Sequence, residues 1–152
     1  MKRVVTSWFT THHSLSADVS ANEINEWHIA RGFDGIGYHA VIHPDGALEY
    51  GRDLCAVGAH NKWHNWNSVG VCLTGNFNLY EPTPAALASA AMFYIDVCKV
   101  FKKILGINYH REGDNPCPGK LFDREEYLEI LIREATYDLP RSMWVDHWHG
   151  FG

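Results

Sequence analysis

A chain of 152 residues has room for one domain, and two would each be close to the minimum size for a stable core. With 46% hydrophobic residues, 20% charged residues, six Trp, seven Tyr and seven Phe, intrinsic disorder is excluded as the main state. Thirteen basic against eighteen acidic residues give a net charge of -5, which excludes the broad basic footprint of a nucleic-acid binder.

Val4 to Thr11 is β-branched and aromatic and reads as a strand leading into His12-His13-Ser14. Ser20 and Glu23 are spaced as a capping box, and Ile24, Trp27 and Arg31 follow at helical spacing until Gly32. Gly37 to His43 and Ala47 to Gly51 form a hairpin about the turn Pro44-Asp45-Gly46. Gly58 to Asn67 has no period and is a loop. Val69 to Thr74 is a short apolar run, expected as a buried central strand. Thr83-Pro84 opens a long helix whose stripe Leu87, Ala91, Tyr94, Cys98, Phe101 and Leu105 faces a core, with Gly106 as its stop. Ile107 to Tyr109 is a short strand and His110 to Gly119 a loop. Asp123 and Glu126 start a last helix that runs to about Tyr137. The expected fold is a single α/β (mixed α+β) domain: a central mixed β-sheet flanked by helices over residues 1–137, with a tail, 138–152, packed on it or extending from it.

The longest apolar-rich stretch, Ala85 to Ile95, is too short to span a bilayer, and Met1 to Trp8 lacks the apolar run and cleavage site of a secretory signal. A soluble cytosolic product, monomeric and without stable membrane insertion, is expected. Four cysteines without C-x-x-C spacing read as reduced thiols. Of these Cys55, Cys72 and Cys98 fall in apolar contexts, as small core residues.

Ten His is a high count and directs attention to three polar clusters at strand ends: His12-His13-Ser14, Gly58-Ala59-His60, and His110 with Cys117. Such clusters are placed to converge over one sheet edge. Two imidazoles and a thiolate suit Zn²⁺, and three protein ligands leave the fourth tetrahedral position open for water. On spacing alone a second reading stands beside this one: Cys117 is a small residue between two prolines, and His12 and His110 are incidental.

Further motifs accompany these clusters: Arg31-Gly32-Phe33-Asp34-Gly35-Ile36-Gly37-Tyr38-His39, Asp45-Gly46 with Gly51-Arg52, Asn67-Ser68-Val69-Gly70-Val71, Gly75-Asn76-Phe77 and Cys117-Pro118-Gly119. In this order, from about Thr6 to Phe122, the set resembles the zinc-dependent N-acetylmuramoyl-L-alanine amidases of phage endolysins and peptidoglycan recognition proteins. The resemblance implies a Zn²⁺ cofactor held by His12 (not His13), His110 and Cys117, with Tyr38 as the active-site tyrosine. It implies hydrolysis of the amide joining N-acetylmuramic acid to L-alanine in bacterial peptidoglycan, the partner being that muramyl peptide and not nucleic acid. As an endolysin, the chain would wait in the host cytoplasm until lysis and then act on the periplasmic wall. Two rivals remain open: a muropeptide-binding module without catalysis, and an intracellular amidase that recycles wall fragments.

Two departures from the family pattern bear on the mechanism. Asn115 stands where endolysins of this type often have lysine; it can donate to an oxyanion but carries no charge, and it is taken as a catalytic residue on that basis. Cys72 stands where other branches carry a glutamate. His60, Trp63, Asn67 and Asn76 are expected to bind substrate, with Trp66 beside Trp63 along the substrate loop. Arg52, Lys62 and Lys120 are candidates for the stem-peptide carboxylates. His39 and His43 read as structural, and Trp144 and Trp148 as covers for apolar surface.

Overall fold

The computed structural model describes residues 1–144. Its elements are β1 (Trp8–His13), α1 (Ala21–Ala30), β2 (Ala40–Ile42), β3 (Leu48–Tyr50), β4 (Ser68–Leu73), α2 (Pro84–Phe101), β5 (Gly106–Tyr109) and α3 (Arg124–Asp138). The strands lie in the order β3-β2-β4-β1-β5. β1 runs parallel to β4 and β5, β2 parallel to β4, and β3 antiparallel to β2. This is the expected mixed sheet, with the apolar run of β4 buried at its centre.

Strand alternation gives the sheet two different faces. Register pairs Phe9 with Val69 and Ile107, Thr11 with Val71, and Ile42 with Leu73. These residues point toward α2 and α3. There they join Phe93, Tyr94, Val97, Tyr127 and Leu131 in the main core, and Thr11 shares a 2.8 Å hydrogen bond with the Tyr127 hydroxyl. The same register pairs Trp8 with Ser68, Thr10 with Gly70, and His12 with Cys72 beside Val41. These residues point the other way, toward α1 and the loop before β4. The apolar cluster on that side is small: Ile24, Val41 and Cys72.

Local signals set most helix ends. The Ser20 box closes on both sides: the Ser20 hydroxyl accepts from the Glu23 N–H, and Glu23 accepts from the Ser20 N–H. Asp123 caps α3 through the Glu126 N–H, and Thr83 caps α2 through the Ala86 N–H. Other expectations shift. β1 begins at Trp8, because Val4 is fully exposed and Val5 partly so. α1 turns Ile24 and His28 inward, and leaves Trp27 41% exposed. α2 stops at Lys102, which adopts the left-handed conformation (φ 54°) and donates its N–H back to Cys98 and Lys99 carbonyls. Gly106 instead opens β5 flat against Trp8, whose ring a Cβ would approach to 2.6 Å.

His43 staples the hairpin to the loop before α1. Its Nδ1 meets Asp18 and its Nε2 meets Glu49, each at 2.6 Å. Glu49 also accepts from the Ala21 N–H, and Asp18 from the Thr74 hydroxyl. Burial works against a charged His43, but the two carboxylates outweigh it and raise its pKa.

α2 has the length and composition of a membrane-crossing helix, yet half of it is buried against the sheet and α3. After α3 a short 3₁₀ turn, Arg141–Met143, brings Met143 and Trp144 onto the main core. Trp148 lies outside the described residues.

Candidate metal centre

Alternation decides which histidine of the pair enters the site. His12 shares the face of Thr10 and is 1% exposed. His13 points to the opposite face, stacks on Phe77 and accepts the Phe77 N–H on Nδ1. Burial first, then Arg111 and His110, hold its pKa down to about 4. His110 directly follows β5 and continues the register that pairs Tyr109 with Thr11, so it lands beside His12 with ring centroids 4.8 Å apart. The loop after it is closed by two backbone hydrogen bonds between Arg111 and Cys117. That closure returns Cys117 to the ring it left seven residues earlier in the loop His110–Cys117.

One ligand atom from each of His12, His110 and Cys117 lies within 4.8 Å of the others. Nδ1 of His12 is 3.9 Å from Cys117 Sγ. The site therefore lies on the sheet's polar face rather than beyond a strand edge. Burial, then the fields of neighbouring imidazoles, hold His12 well below its ordinary pKa, so its ring is neutral at neutral pH. Burial pushes the Cys117 thiol up, while the His13 backbone and nearby arginines pull it down. A buried thiolate needs a cation beside it. The donor set fits a divalent metal of borderline softness.

Tyr38 packs its ring on His12 (centroids 5.0 Å) and on His28 (5.3 Å). Burial raises its pKa well above the ordinary value, so the phenol keeps its proton. After burial, the Cys72 thiol packed beside it also holds that pKa up. Cys72 is thus not only a core residue: it is the register partner of His12 and forms the floor beneath Tyr38. Cys98 does belong to the main core, and Cys55 is partly exposed.

His60 sits behind His12, with its Nδ1 2.8 Å from His12 Nε2. A cleft of about 400 Å³ opens in front. Tyr38, His60 and His110 line its inner end, and Arg31, Phe33, Asn61, Lys62 and Asn65 its outer part. No carboxylate lines it, and neither Arg31 nor Lys62 has an acidic partner among the described residues.

Other expected substrate contacts fall elsewhere. Asn67 is buried behind the cleft, and its Oδ1 has no hydrogen-bond partner among the described residues. Asn76 uses its Oδ1 on the Asn78 N–H, a local turn. Arg52 is consumed by the carbonyls of Ile36 and Val57 and by Asp34. Lys120 lines a different depression with Glu112 and Asp123. Trp63 is 75% exposed beside the cleft, under the Lys62 ammonium, and Trp66 donates its indole N–H to the Trp63 carbonyl. Asn115 is exposed on the His110–Cys117 loop and does not line the cleft. His39 is structural: its Nδ1 accepts from Gly70 N–H, and its Nε2–H donates to the Ala56 carbonyl. Arg31 and His28 had no role in the sequence reading, although both stand in or beside the motif that contains Tyr38.

A mixed sheet with two imidazoles and a thiol converging on one face defines a class: single-domain α/β proteins with a candidate mononuclear metal centre above the sheet. The family model for N-acetylmuramoyl-L-alanine amidase matches residues 2–120. The chain is 34% identical to the endolysin of Enterobacteria phage K11, over 84% of its own length and 89% of that relative. It is 34% identical to the endolysin of Escherichia phage T7, over 75% and 78%. Among solved structures, the N-acetylmuramoyl-L-alanine amidase LysC from Clostridium intestinale URNW superposes with a TM-score of 0.77 at 31% identity, over 84% of this chain and 85% of that one. The chain belongs to the N-acetylmuramoyl-L-alanine amidase family.

Proposed function

We propose that this amidase is an endolysin that cuts the lactyl–L-alanine amide of peptidoglycan with a zinc ion held by His12, His110 and Cys117. The reading is carried by those three ligand atoms lying within 4.8 Å of one another, with His110 also lining the inner end of the cleft. A zinc ion bound there would supply Lewis-acid polarisation of the scissile carbonyl and lower the pKa of a water to about 7.

The remaining roles belong to the side chains. Tyr38 keeps its proton and donates it in a hydrogen bond to the oxygen on which charge develops. With no carboxylate lining the cleft among the described residues, the proton taken up by the departing amine of L-alanine comes from an imidazole or from water. Arg31 and Lys62, without acidic partners among the described residues, meet the carboxylates of the stem peptide. Trp63 offers an exposed indole face to the sugar. Catalysis is assigned to residues 1–137, and 138–152 to a tail. The enzyme works as a monomer, is released from the host cytoplasm at lysis and attacks the wall.

Metal analysis of wild type beside Cys117→Ser tests this reading. Wild type holds about one zinc per chain and releases L-alanine amino termini from purified sacculi until a chelator is added. Cys117→Ser loses both zinc and release. Unchanged zinc in the variant would refute the ligand assignment.

A further inference from the structure

We propose that Ser68 and His60 are positioning residues that lock His12 in the Nε2–H tautomer, leaving its Nδ1 bare toward Cys117 and the candidate metal. The direction of the relay follows from its far end. The Ser68 oxygen lies 2.5 Å from the His64 carbonyl oxygen, which can only accept. The single hydroxyl proton is therefore spent there. Ser68 can then only accept from His60 Nε2, 3.2 Å away, so that nitrogen carries the His60 proton. The Nδ1 of His60 is left bare and accepts from His12 Nε2 at 2.8 Å. His12 Nδ1 is left bare in turn, 3.9 Å from Cys117 Sγ. The reverse direction is self-consistent along the rings, but it leaves two oxygens 2.5 Å apart with no proton between them.

The fold invests in this arrangement. Both rings are nearly dry, His12 at 1% and His60 at 8% exposure, so an unpaired N–H there is costly. Gly58 and Gly70 leave a slot for the His60 ring: a Cβ at either would lie 2.6 Å or 2.5 Å from it. Asn65 Oδ1 accepts the backbone N–H of both His60 and Asn61 at 2.8 Å and fixes the loop that carries the ring. Ser68 is held in β4 opposite Trp8, on the same face as the Cys72–His12 pair. Metal-bound histidines commonly give their second nitrogen to such a partner, which sets tautomer and ring orientation. The purpose of the relay rests on the zinc reading above, but its hydrogen-bond direction does not.

The test is nitrogen-detected NMR of the histidine tautomers in metal-free protein. His12 and His60 should both carry their proton on Nε2. A proton on His12 Nδ1 would overturn the relay and leave the zinc reading intact. Conversely, a Cys117→Ser variant that keeps its zinc would refute the ligand set without touching the tautomers. Ser68→Ala should mix the two tautomers of His12 and weaken zinc binding about 10-fold in a chelator competition. His60→Asn, whose side-chain oxygen can still accept from His12, should keep the Nε2–H tautomer of His12. A merely structural Ser68 would lower the melting temperature and leave the tautomers unchanged, and that result also overturns the proposal.

Discussion

The two faces of one sheet are built to opposite rules. On the α2/α3 side, Phe9, Val69, Val71 and Leu73 are fully buried among aromatic and aliphatic side chains. On the other side the same two strands present Thr10, His12, Ser68, Gly70 and Cys72. There imidazoles and a thiol replace apolar packing, and each buried polar atom needs a partner. One face holds the fold together, and the other uses the rigidity so obtained to keep reactive groups in place. Adjacent residues of β1 and β4 therefore do different work, and substitutions one position apart should separate stability from activity.

The largest effect is expected on the apolar face. Leu73→Ala should cost about 2–5 kcal/mol of stability, read by denaturant unfolding, while turnover per folded molecule stays near wild type. An equal loss of turnover would show that the faces are not separable. On the polar face, Tyr38→Phe should lower kcat by about 100- to 1,000-fold with zinc content and melting temperature nearly unchanged. A smaller effect would remove the phenol from the chemistry. At the outer cleft, Arg31→Ala should raise KM for an acidic stem peptide about 10-fold with little change in kcat. The same rise with a stem peptide whose carboxylates are amidated would argue against charge recognition.

The smallest effect concerns the His43 staple, remote from both the core and the cleft. Its folded pKa is raised, so its contribution is full below the unfolded value and fades as pH rises through the folded one. Hydrogen bonding to His43 lowers the pKa of Asp18; for Glu49 the Ala21 N–H lowers it most, and then His43. Their contribution is present above the unfolded carboxylate values and fades as pH falls through the folded ones. Wild type should therefore lose on the order of 1 kcal/mol or less as pH rises from about 6 to about 8, with solvent screening the exposed carboxylates. His43→Gln should flatten that slope in thermal melts at several pH values; a slope that persists assigns it to other groups.

What could be read from the sequence was what is decided locally. The Ser20–Glu23 box, the Thr83-Pro84 start and the Pro44-Asp45-Gly46 turn depend on neighbours within a few residues, and they form as read. The end of α2 was missed because Lys102, not a glycine, takes the left-handed position. The three proposed ligands were legible through their motifs, but the surface that unites them was not. Register between β1, β4 and β5 is a long-range property, and only register reveals that Cys72 lies beside His12 and that Ser68 faces His60. The charged residues misled for a related reason. Arg52 looks free in sequence but is tied to two carbonyls and Asp34, whereas Arg31 looks like a helix-end cation and stands in the cleft.

On the proposed reading, the polar face binds one zinc ion between His12, His110 and Cys117. Diffraction from zinc-grown crystals, recorded across the zinc absorption edge, tests it most directly. The expected result is a single anomalous peak bonded to His12 Nδ1, a His110 ring nitrogen and Cys117 Sγ. A peak bonded to other residues, or none at those three atoms in protein saturated with zinc, would contradict it.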